Sequence, residues 1–407
     1  MNVCVYPGDF PTRSETFVMN HVTGLIDRGL NVTVLSNNED IDAWSSLEGY
    51  QTVLKDKVFH YRLPQSRKDR LIGAGGKTLS GLTKGDFKIL STLNYSRYGR
   101  NAINFALLYA YTCAKTMPKI EVLHCHFGPI GTIGAHLKRL GLVEKLVVTF
   151  HGYDVSRALV CSGGVNPYES VFEQADLILP VSNRWYGVLS RIGAPTDRMY
   201  VHRVGIDVSK FRYKVRKGTA NLLRIVTTAR FTEKKGIRYA VEAVAKVKKR
   251  EPSLQIQYDI VGEGELLAEI RELIASLGMI ASIKLHGAKS HSEVRILLDE
   301  ADVFMLPSVT ASDGDQEGIP VALMEAMASG LPVVTTKHSG IPELVEDGVS
   351  GYLSPEKDSD SLAESIFKLV DNPDKWAELG AAGRAKVERE FNLQTQNDRL
   401  VELYHAL

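Results

Sequence analysis

The sequence predicts an α/β protein with two domains, each built on a parallel sheet. The chain has 407 residues, more than one typical domain holds, and two domains of this size would each bury a sizeable core. The first half alternates short β-rich runs with helical patterns, which favours a parallel sheet covered by helices on both faces. The second half opens with another strand and again passes from strand to helix.

Twelve short runs of β-branched and apolar residues are predicted to be strands. In the first half the predicted strands are Val3–Tyr6, Val32–Ser36, Val58–Leu63, Val122–His126, Leu146–Phe150, Leu177–Val181 and Tyr200–Val204. In the second half they are Leu223–Thr228, Gln255–Val261, Ile283–His286, Val303–Leu306 and a strand that begins at Val333. Helices are predicted near Ser361–Val370, Lys375–Glu390 and Leu393–His405.

The composition excludes several classes of function. The 49 basic and 48 acidic residues give the whole chain no attraction to nucleic acid. The four cysteines are scattered without a Cys-x-x-Cys pair, which indicates neither a disulfide framework nor a zinc site and fits a reducing cytosol. The sequence shows no signal-peptide pattern and no apolar run of roughly 18 residues. We therefore expect a cytoplasmic chain, lying at most on the inner face of the cell membrane.

The turn after the first strand is the first candidate binding wall. It runs from Pro7 to Phe17, and Ser14 or Thr12 is the expected cap of a helix that ends near Arg28. Ligands of open α/β sheets bind beyond the carboxyl ends of the strands. Ser14, Glu15 and Thr16 are therefore acceptor-side candidates, and the alternative is an ordinary capped turn.

The segment from residue 60 to residue 100 is locally basic. Nine lysines and arginines face only Asp69 and Asp86, and Gly73–Gly76 interrupts this basic stretch. Apolar residues interleave with the charges. Such a segment suits an anionic membrane surface or a pyrophosphate-linked lipid acceptor. The alternative is a solvated surface excursion.

Three histidines stand at predicted strand ends in the first half. His124 and His126 share one strand face, and a metal site there would need a third ligand that the nearby sequence does not offer. His126 is therefore read as a core or pocket residue and an acceptor-side candidate. His151 and Asp154, in Thr149-Phe-His-Gly-Tyr-Asp154, follow the next strand. A lone histidine is otherwise more often structural.

The second half carries a cationic loop and two later motifs. Arg230 and Lys235 follow its first strand, and Gly262 and Gly264 form a strand-to-helix turn where backbone amides can approach a ligand. Glu317 and Glu325 stand eight residues apart across the start of an apolar helix that opens after Pro320. A carboxylate on such a helix is costly unless a partner binds it. This combination suits a ligand with an anionic centre and neighbouring hydroxyls.

The spacing of Glu317 and Glu325 matches the Glu-x7-Glu motif of retaining GT-B glycosyltransferases, and the segment resembles glycosyltransferase family 4. The Phe-Pro-x-x-Ser-Glu-Thr-Phe string from Phe10 resembles exopolysaccharide-type members, including the colanic acid and amylovoran transferases. This resemblance implies the GT-B architecture: two Rossmann-like domains facing across a cleft, with the last helix crossing back to the first domain. The expected boundaries are 1–207, 208–390 and 391–407.

The resemblance also implies roles for the candidate residues. Arg230, Lys235, Glu317 and His151 would be catalytic, with the two cations on the diphosphate and Glu317 on the sugar hydroxyls. The expected donor-binding residues are Glu325, on the ribose, with Gly318, Ile319, Val321, Gly262, Gly264 and Asp154. The chain departs from the family pattern at Ala229, where glycine is usual, and at Gly318-Ile-Pro320, where Pro320 cannot donate a backbone N–H.

The predicted function is the retaining transfer of a hexose from a nucleotide diphosphate sugar, with UDP expected, to a glycan or lipid-linked acceptor in surface polysaccharide synthesis. Asp313 and Asp315 form an Asp-x-Asp, a metal-binding pattern in another glycosyltransferase fold. We read it here as an exposed loop and expect no metal or other cofactor. The alternatives are a glycosidase, a sugar-nucleotide epimerase of the same fold, and a non-catalytic glycan-binding or scaffold protein.

Overall fold

The computed structural model describes residues 1–13, 15–47, 49–163, 166–218 and 222–407. The chain divides into two compact units. Unit 1 comprises Met1–Val181, Tyr186–His202 and Asn397–Leu407, and unit 2 comprises Ser182–Trp185 and Arg203–Gln396. Each unit contains one six-stranded parallel sheet.

The sheet of unit 1 has the strand order β3-β2-β1-β4-β5-β6. Its strands are β1 (Asn2–Gly8), β2 (Asn31–Ser36), β3 (Val58–His60), β4 (Ile120–His126), β5 (Val143–Phe150) and β6 (Leu177–Pro180). The helices of this part of the chain are α1 (Thr16–Asp27), α2 (Gln51–Leu54), α3 (Arg67–Thr83), α4 (Lys88–Ser91), α5 (Tyr95–Tyr98), α6 (Arg100–Ile103), α7 (Ala106–Ala114), α8 (Gly128–Arg139), α9 (Tyr153–Cys161), α10 (Glu169–Gln174) and α11 (Asn183–Arg191).

The sheet of unit 2 has the order β12-β11-β10-β7-β8-β9. Its strands are β7 (Leu222–Thr228), β8 (Gln255–Val261), β9 (Ile283–Leu285), β10 (Val303–Leu306), β11 (Val333–Thr336) and β12 (Gly351–Ser354). The helices that follow β7 in the chain are α12 (Ile237–Arg250), α13 (Leu267–Ser276), α14 (His291–Glu300), α15 (Val321–Ala328), α16 (Ile341–Leu344), α17 (Ser359–Val370), α18 (Lys375–Glu390) and α19 (Leu393–His405).

Both sheets follow the strand order of a doubly wound Rossmann sheet. The first and fourth strands of each unit pair in parallel, β1 with β4 and β7 with β10. The connections leave in opposite directions from these two strands, so a crevice opens beyond their carboxyl ends. The loops after β1, β4, β7 and β10 are therefore where each unit can bind a ligand.

The core of unit 1 reaches from the first strand to the last helix. Leu400 and Tyr404 of α19 are buried in one apolar cluster with Val3, Val18 and Leu25. Gly24 of α1 lies against α19 so closely that a Cβ there would be 1.9 Å from Asn397 Nδ2. The end of α19 is therefore an integral part of unit 1.

Three details of the prediction from sequence are wrong. Tyr200–Val204 is no strand, although Tyr200 and His202 each donate one backbone hydrogen bond to β6. β12 was not anticipated. Glu15 occupies the N-cap of α1 and its side chain makes no capping hydrogen bond, so Thr12 is not the cap, and Ser14 lies outside the described residues.

Helix α3 continues unbroken through the glycine-rich stretch Gly73–Gly76. A Cβ at Gly73 would lie 2.0 Å from the hydroxyl of Tyr109 on α7. Close packing between the two helices therefore requires a glycine where propensity alone suggests a break.

The start of unit 2 contains a buried arginine that anchors it. Arg216 is buried, and its guanidinium donates to the carbonyl oxygens of Asp299, Ala301, Leu298 and Ser329 at 2.6–3.3 Å. These carbonyl oxygens lie at the C-terminal ends of α14 and α15, where they have no hydrogen-bond partners within their own helices. Arg216 thus ties the start of unit 2 to two helix termini.

Candidate functional site

The loop after β7 in unit 2 carries the two predicted cations. Arg230 is exposed, and within the described residues its guanidinium has no hydrogen bond or ion pair. The backbone N–H groups of Ala229 and Phe231 donate to Val261 and Glu263, which joins this loop to the turn after β8. Arg230 is thus held by its backbone while its charge is free to meet an anion.

Gly262 and Gly236 allow the neighbouring loops to approach this backbone. A Cβ at Gly262 would lie 1.9 Å from the carbonyl oxygen of Ala229, and one at Gly236 would lie 1.9 Å from that of Pro307. Both residues also have positive φ angles, +138° and +63°. These glycines therefore fix the positions of Arg230 and Lys235 by close backbone contact.

Three side-chain pairs connect the loop after β7 to the loop after β10. Glu233 accepts from the backbone N–H and hydroxyl of Ser312, at 2.9 and 2.7 Å. Lys234 pairs with Asp315 at 2.9 Å, and Lys235 Nζ lies 2.6 Å from Glu317 Oε1. The sequence predicted Lys235 and Glu317 as separate site residues, and the structure brings them into direct contact.

The Asp-x-Asp of this loop is engaged by protein groups. Asp315 pairs with Lys234, and its own backbone N–H donates to Asp313 Oδ1 at 3.0 Å. A carboxylate neutralised by lysine is a poor ligand for a divalent cation. Metal-free binding at this site stays a prediction.

Glu317 is buried, at 7% exposure, beside two positive charges. Burial raises the pKa of its carboxyl, but the charges of Lys235 and Lys234 outweigh this effect and leave the pKa below its ordinary value. Glu317 is therefore an ionised carboxylate held in a place with little water.

His338, which the sequence analysis did not single out, fixes the backbone at Glu317. The N–H of Glu317 donates to His338 Nε2 at 3.1 Å, so the proton of this ring is on Nδ1, which donates to Glu356 at 2.6 Å. Ser339 donates to the carbonyl oxygen of Glu317. His338 lies just beyond β11. Like His151, it could have been identified from sequence as a candidate because it follows a strand.

The N-terminus of α15 presents backbone donors. Within the described residues, no protein group accepts a hydrogen bond from the N–H of Gly318, Ile319 or Val321. Pro320 occupies the N-cap and has no N–H to donate. Free amides and the helix dipole together favour an anion or an oxygen-rich ligand at this end.

Glu325 lies one turn further along α15. Burial raises the pKa of its carboxyl to about 7, against the opposing charge of Arg295. None of the described protein groups forms a hydrogen bond with this carboxylate. A partly buried acid without a protein partner is a candidate ligand-binding group.

In unit 1, His151 follows β5 and lies against two aromatic rings. The centroids of Phe17 and Phe127 are each 4.6 Å from that of His151. His151 Nε2 is hydrogen-bonded to His126 Nδ1 at 2.9 Å. The ring orientation is therefore fixed by contact with these two aromatic rings and by one hydrogen bond.

Asp154 holds the turn that carries His151. Its fully buried carboxylate accepts backbone N–H groups of Gly128, His151 and Gly152 at 2.8–2.9 Å. Burial raises the pKa of Asp154 to about 6, and these hydrogen bonds limit the rise. The carboxylate is thus occupied by the protein, which fits a positioning role better than the predicted contact with the donor.

The acceptor-side candidates lie in different surroundings. Thr16 is the first residue of α1, and Glu15 precedes it. His126 is buried, and both of its ring nitrogens are bonded to other histidines. Direct acceptor contact by His126 is disfavoured by this placement, because the ring can reach a ligand only through His151.

Comparison with known proteins identifies the family. The family described as "Glycosyl transferases group 1" matches residues 212–386. The amylovoran biosynthesis glycosyltransferase AmsK of Erwinia amylovora is 38% identical over 413 residues, which cover 100% of both chains. WcaL of Escherichia coli (strain K12), named for colanic acid biosynthesis, is 38% identical over 408 residues, 98% of each chain. The chain belongs to the group 1 glycosyltransferases.

Solved structures confirm the fold of this glycosyltransferase. HepE of Anabaena, crystallised with UDP-glucose, superposes with a TM-score of 0.73 over 100% of both chains at 18% identity. Sucrose-phosphate synthase of Thermosynechococcus elongatus superposes with a TM-score of 0.72 at 16% identity, over 100% of this chain and 98% of the other. The predicted α/β class and GT-B fold are therefore confirmed.

Among the described residues, no helix combines the length and apolarity that crossing a bilayer requires.

Two further residues of interest could not be identified from sequence. His21 and Tyr404 are hydrogen-bonded to the histidines of β4, although they are far from them in sequence. Only the packing of α1 and α19 brings them there.

Proposed function

We propose that this glycosyltransferase moves a hexose from a nucleoside diphosphate sugar, with UDP as the nucleotide, to a hydroxyl of a glycan or lipid-linked oligosaccharide. The observation that carries the proposal is the Lys235–Glu317 pair at 2.6 Å, with the exposed Arg230 on the same loop as Lys235. Cations suit a diphosphate, and a buried ionised carboxylate suits sugar hydroxyls. No glycosidase needs a phosphate clamp of this kind.

Each residue of unit 2 then has a role. Arg230 and Lys235 bind the diphosphate, and Glu317 accepts hydrogen bonds from the donor sugar. Glu325 binds the ribose hydroxyls, which supply the partner that its carboxylate lacks in the protein. The amides of Gly318, Ile319 and Val321 donate to oxygens of the donor.

The proposed reaction retains the anomeric configuration. The bond between the anomeric carbon and the phosphate oxygen breaks, and the acceptor oxygen bonds to that carbon on the same face. The acceptor proton passes to the leaving phosphate, whose developing charge Arg230 and Lys235 stabilise. No protein nucleophile is required.

The relatives support a place in exopolysaccharide synthesis. AmsK and WcaL are named for amylovoran and colanic acid biosynthesis, and both match this chain over nearly all of its length. HepE was crystallised with UDP-glucose. We therefore propose a cytoplasmic enzyme that extends a glycan of this kind without a metal cofactor.

The basic segment 60–100 fits contact with an anionic membrane, where a lipid-linked acceptor would lie. Its apolar side chains Leu71, Ile72, Leu79 and Phe87 are 63%, 64%, 65% and 71% exposed. Exposed apolar residues beside lysines and arginines match the two components of interfacial binding, burial in the headgroup region and attraction to anionic lipid.

The direct test measures UDP release from UDP-sugars in the presence of lipid-linked oligosaccharide, with the product's anomeric configuration read by NMR. We expect retention, and we expect Arg230→Ala and Lys235→Ala to lower kcat by about a hundredfold or more. Arg238→Ala is the matched control, because Arg238 pairs with Glu242 and Glu269 on the helices beyond the loop. An inverted product, or full activity in both loop variants, would contradict the proposal.

A further inference from the structure

Unit 1 contains a continuous chain of buried hydrogen bonds that ends at His151. Its members, called here the histidine chain, are Thr149, His124, Tyr404, His21, His126 and His151. His124 bonds Thr149 Oγ1 at 2.7 Å through Nε2 and the Tyr404 hydroxyl through Nδ1. His21 bonds the same hydroxyl at 3.2 Å and His126 at 2.8 Å. His126 then bonds His151 at 2.9 Å.

Each hydrogen bond of the histidine chain contains one proton. A neutral imidazole donates through one nitrogen and accepts through the other, and a hydroxyl has one proton to donate. When every ring is neutral, all protons must therefore point the same way along the chain. The tautomer of His151 is consequently fixed by the direction of the whole series.

The far end of the chain decides that direction. Thr149 is 4% exposed, and within the described residues its hydroxyl has a single partner, His124 Nε2. A buried hydroxyl without another acceptor costs free energy unless it donates to that partner. Thr149 therefore donates, and the remaining protons follow in the direction of His151.

The rings are neutral because they are buried together. Burial lowers the pKa of His21, His124 and His126 well below the ordinary value. For His151, burial together with the neighbouring His21 and His202 lowers the pKa to about 3. The carboxylate of Asp154 accepts the backbone N–H of His151.

We propose that the histidine chain holds His151 in one neutral tautomer, with the proton on Nδ1. In this state Nε2 accepts from His126, and Nδ1–H, which has no acceptor among the described residues, is available to donate to an oxygen of the substrate. Thr149, His124, Tyr404, His21 and His126 are then positioning residues. The substrate contact rests on the proposed sugar transfer, whereas the tautomer does not.

Three of these histidines also form a group that could hold a metal ion. Their nearest ring nitrogens lie within 4.8 Å of one another. All six ring nitrogens of His21, His124 and His126 are already hydrogen-bonded, and a metal would need lone pairs that these bonds occupy. The hydrogen-bonded arrangement therefore favours a positioning chain over a metal site.

Nitrogen-15 NMR of the histidine rings tests the tautomer without any activity measurement. We expect His151, assigned by His151→Gln, to show a protonated Nδ1 and an unprotonated Nε2 across neutral pH. Thr149→Val removes the terminal donor and Tyr404→Phe interrupts the chain, so each should mix the His151 tautomers. Tyr258→Phe, which removes a buried hydroxyl bonded to Thr227 in unit 2, is the control and should leave His151 unchanged.

Kinetics supply the second readout. We expect Thr149→Val and Tyr404→Phe to lower kcat about tenfold, the equivalent of one lost hydrogen bond, with KM for the donor little changed. A His151 protonated on Nε2, or a tautomer insensitive to both variants, would overturn the proposal. So would a stoichiometric transition metal in the purified protein, or ring resonances shifted by added Zn²⁺. If His151 has the expected tautomer but the protein transfers no sugar, the result would instead count against the proposed function.

Discussion

Lys235 and Glu317 form a 2.6 Å ion pair between two loops that leave neighbouring strands of one sheet. Both side chains are mostly buried, at 15% and 9% exposure. The carboxylate is therefore kept ionised by a lysine that we also assign to the diphosphate. Stability and donor binding consequently depend on the same pair.

We predict that Lys235→Ala lowers the free energy of unfolding by about 3–5 kcal/mol, because it leaves a buried carboxylate without its partner. Lys235→Ala combined with Glu317→Gln should recover part of this loss. Urea unfolding of the two variants measures the difference. Equal stability of the single and double variants would show that the pair is not coupled.

The same pair predicts a pH dependence. The pKa of Glu317 is lower in the folded protein than in the unfolded chain, so its contribution is present above the unfolded pKa of about 4.3 and is lost as pH falls through the folded pKa. In Lys235→Ala the effect of burial on Glu317 is no longer offset by that lysine, so protonation of Glu317 relieves the cost of the unpaired carboxylate. The stability lost in Lys235→Ala should therefore be largest near neutral pH and shrink as pH falls. A loss of stability that does not change with pH would argue against this assignment.

Glu325 should show the opposite dependence. Its pKa is raised to about 7, so stability is greatest below the unfolded value of about 4.3 and falls as pH rises through 7. We predict that Glu325→Gln stabilises the protein by about 1–3 kcal/mol at about pH 8 and weakens UDP binding. Glu272→Gln, on an exposed position of α13, is the control. A variant that loses stability, or binds UDP as well as the parent, would refute this role.

Comparing Gly236 with Gly278 distinguishes the cost of a left-handed backbone from the cost of a steric clash. Both have positive φ, +63° and +68°, but only at Gly236 would a Cβ meet protein atoms, with Pro307 O at 1.9 Å. Gly278→Ala should cost about 1–2 kcal/mol from the left-handed backbone alone. Gly236→Ala should cost clearly more and also weaken nucleotide binding. Thermal unfolding and UDP titration measure both effects, and equal costs would contradict the packing argument.

The exposed apolar face of α3 predicts binding to anionic vesicles. Replacing Leu71, Ile72 and Leu79 together by serine should abolish co-sedimentation with phosphatidylglycerol vesicles, because both burial and charge contribute. The control triple variant replaces Ile280, Ile296 and Val349 of unit 2, which are also exposed. Binding that survives the α3 changes, or that neutral vesicles support equally well, would exclude this surface.

The parallel sheets could be predicted because buried strands leave a local signal. Gln255–Val261 and Val303–Leu306 were predicted with the bounds that the structure shows, as were α18 and α19. Tyr200–Val204 has similar composition, but the pairing is limited to one isolated bridge between Met199 and Ile178. Pro180 of β6 has no N–H with which to continue the ladder, so the segment adds no strand. Local composition does not contain that information.

The site was predictable where a residue follows a strand. Arg230, Lys235 and His151 all stand just beyond strands, and the sheet order places such residues at one edge. The Lys235–Glu317 contact and the support from His338 depend on loop conformation. The histidine chain depends on α19 packing against α1, which brings Tyr404 to His124 across 280 positions of sequence. Contacts between residues so far apart in the chain produce no periodic pattern in the sequence.

The most direct test of the donor site is a thermal-shift series with UDP, GDP, ADP and dTDP, each with and without EDTA, on the parent and on Arg230→Ala. A nucleotide at a hundred times its dissociation constant should stabilise the fold by roughly 2.7 kcal/mol. We predict a shift with UDP that EDTA does not change and that Arg230→Ala removes. A shift that EDTA abolishes, or no shift with any nucleotide, would contradict a metal-free nucleotide-sugar site at Arg230, Lys235 and Glu317.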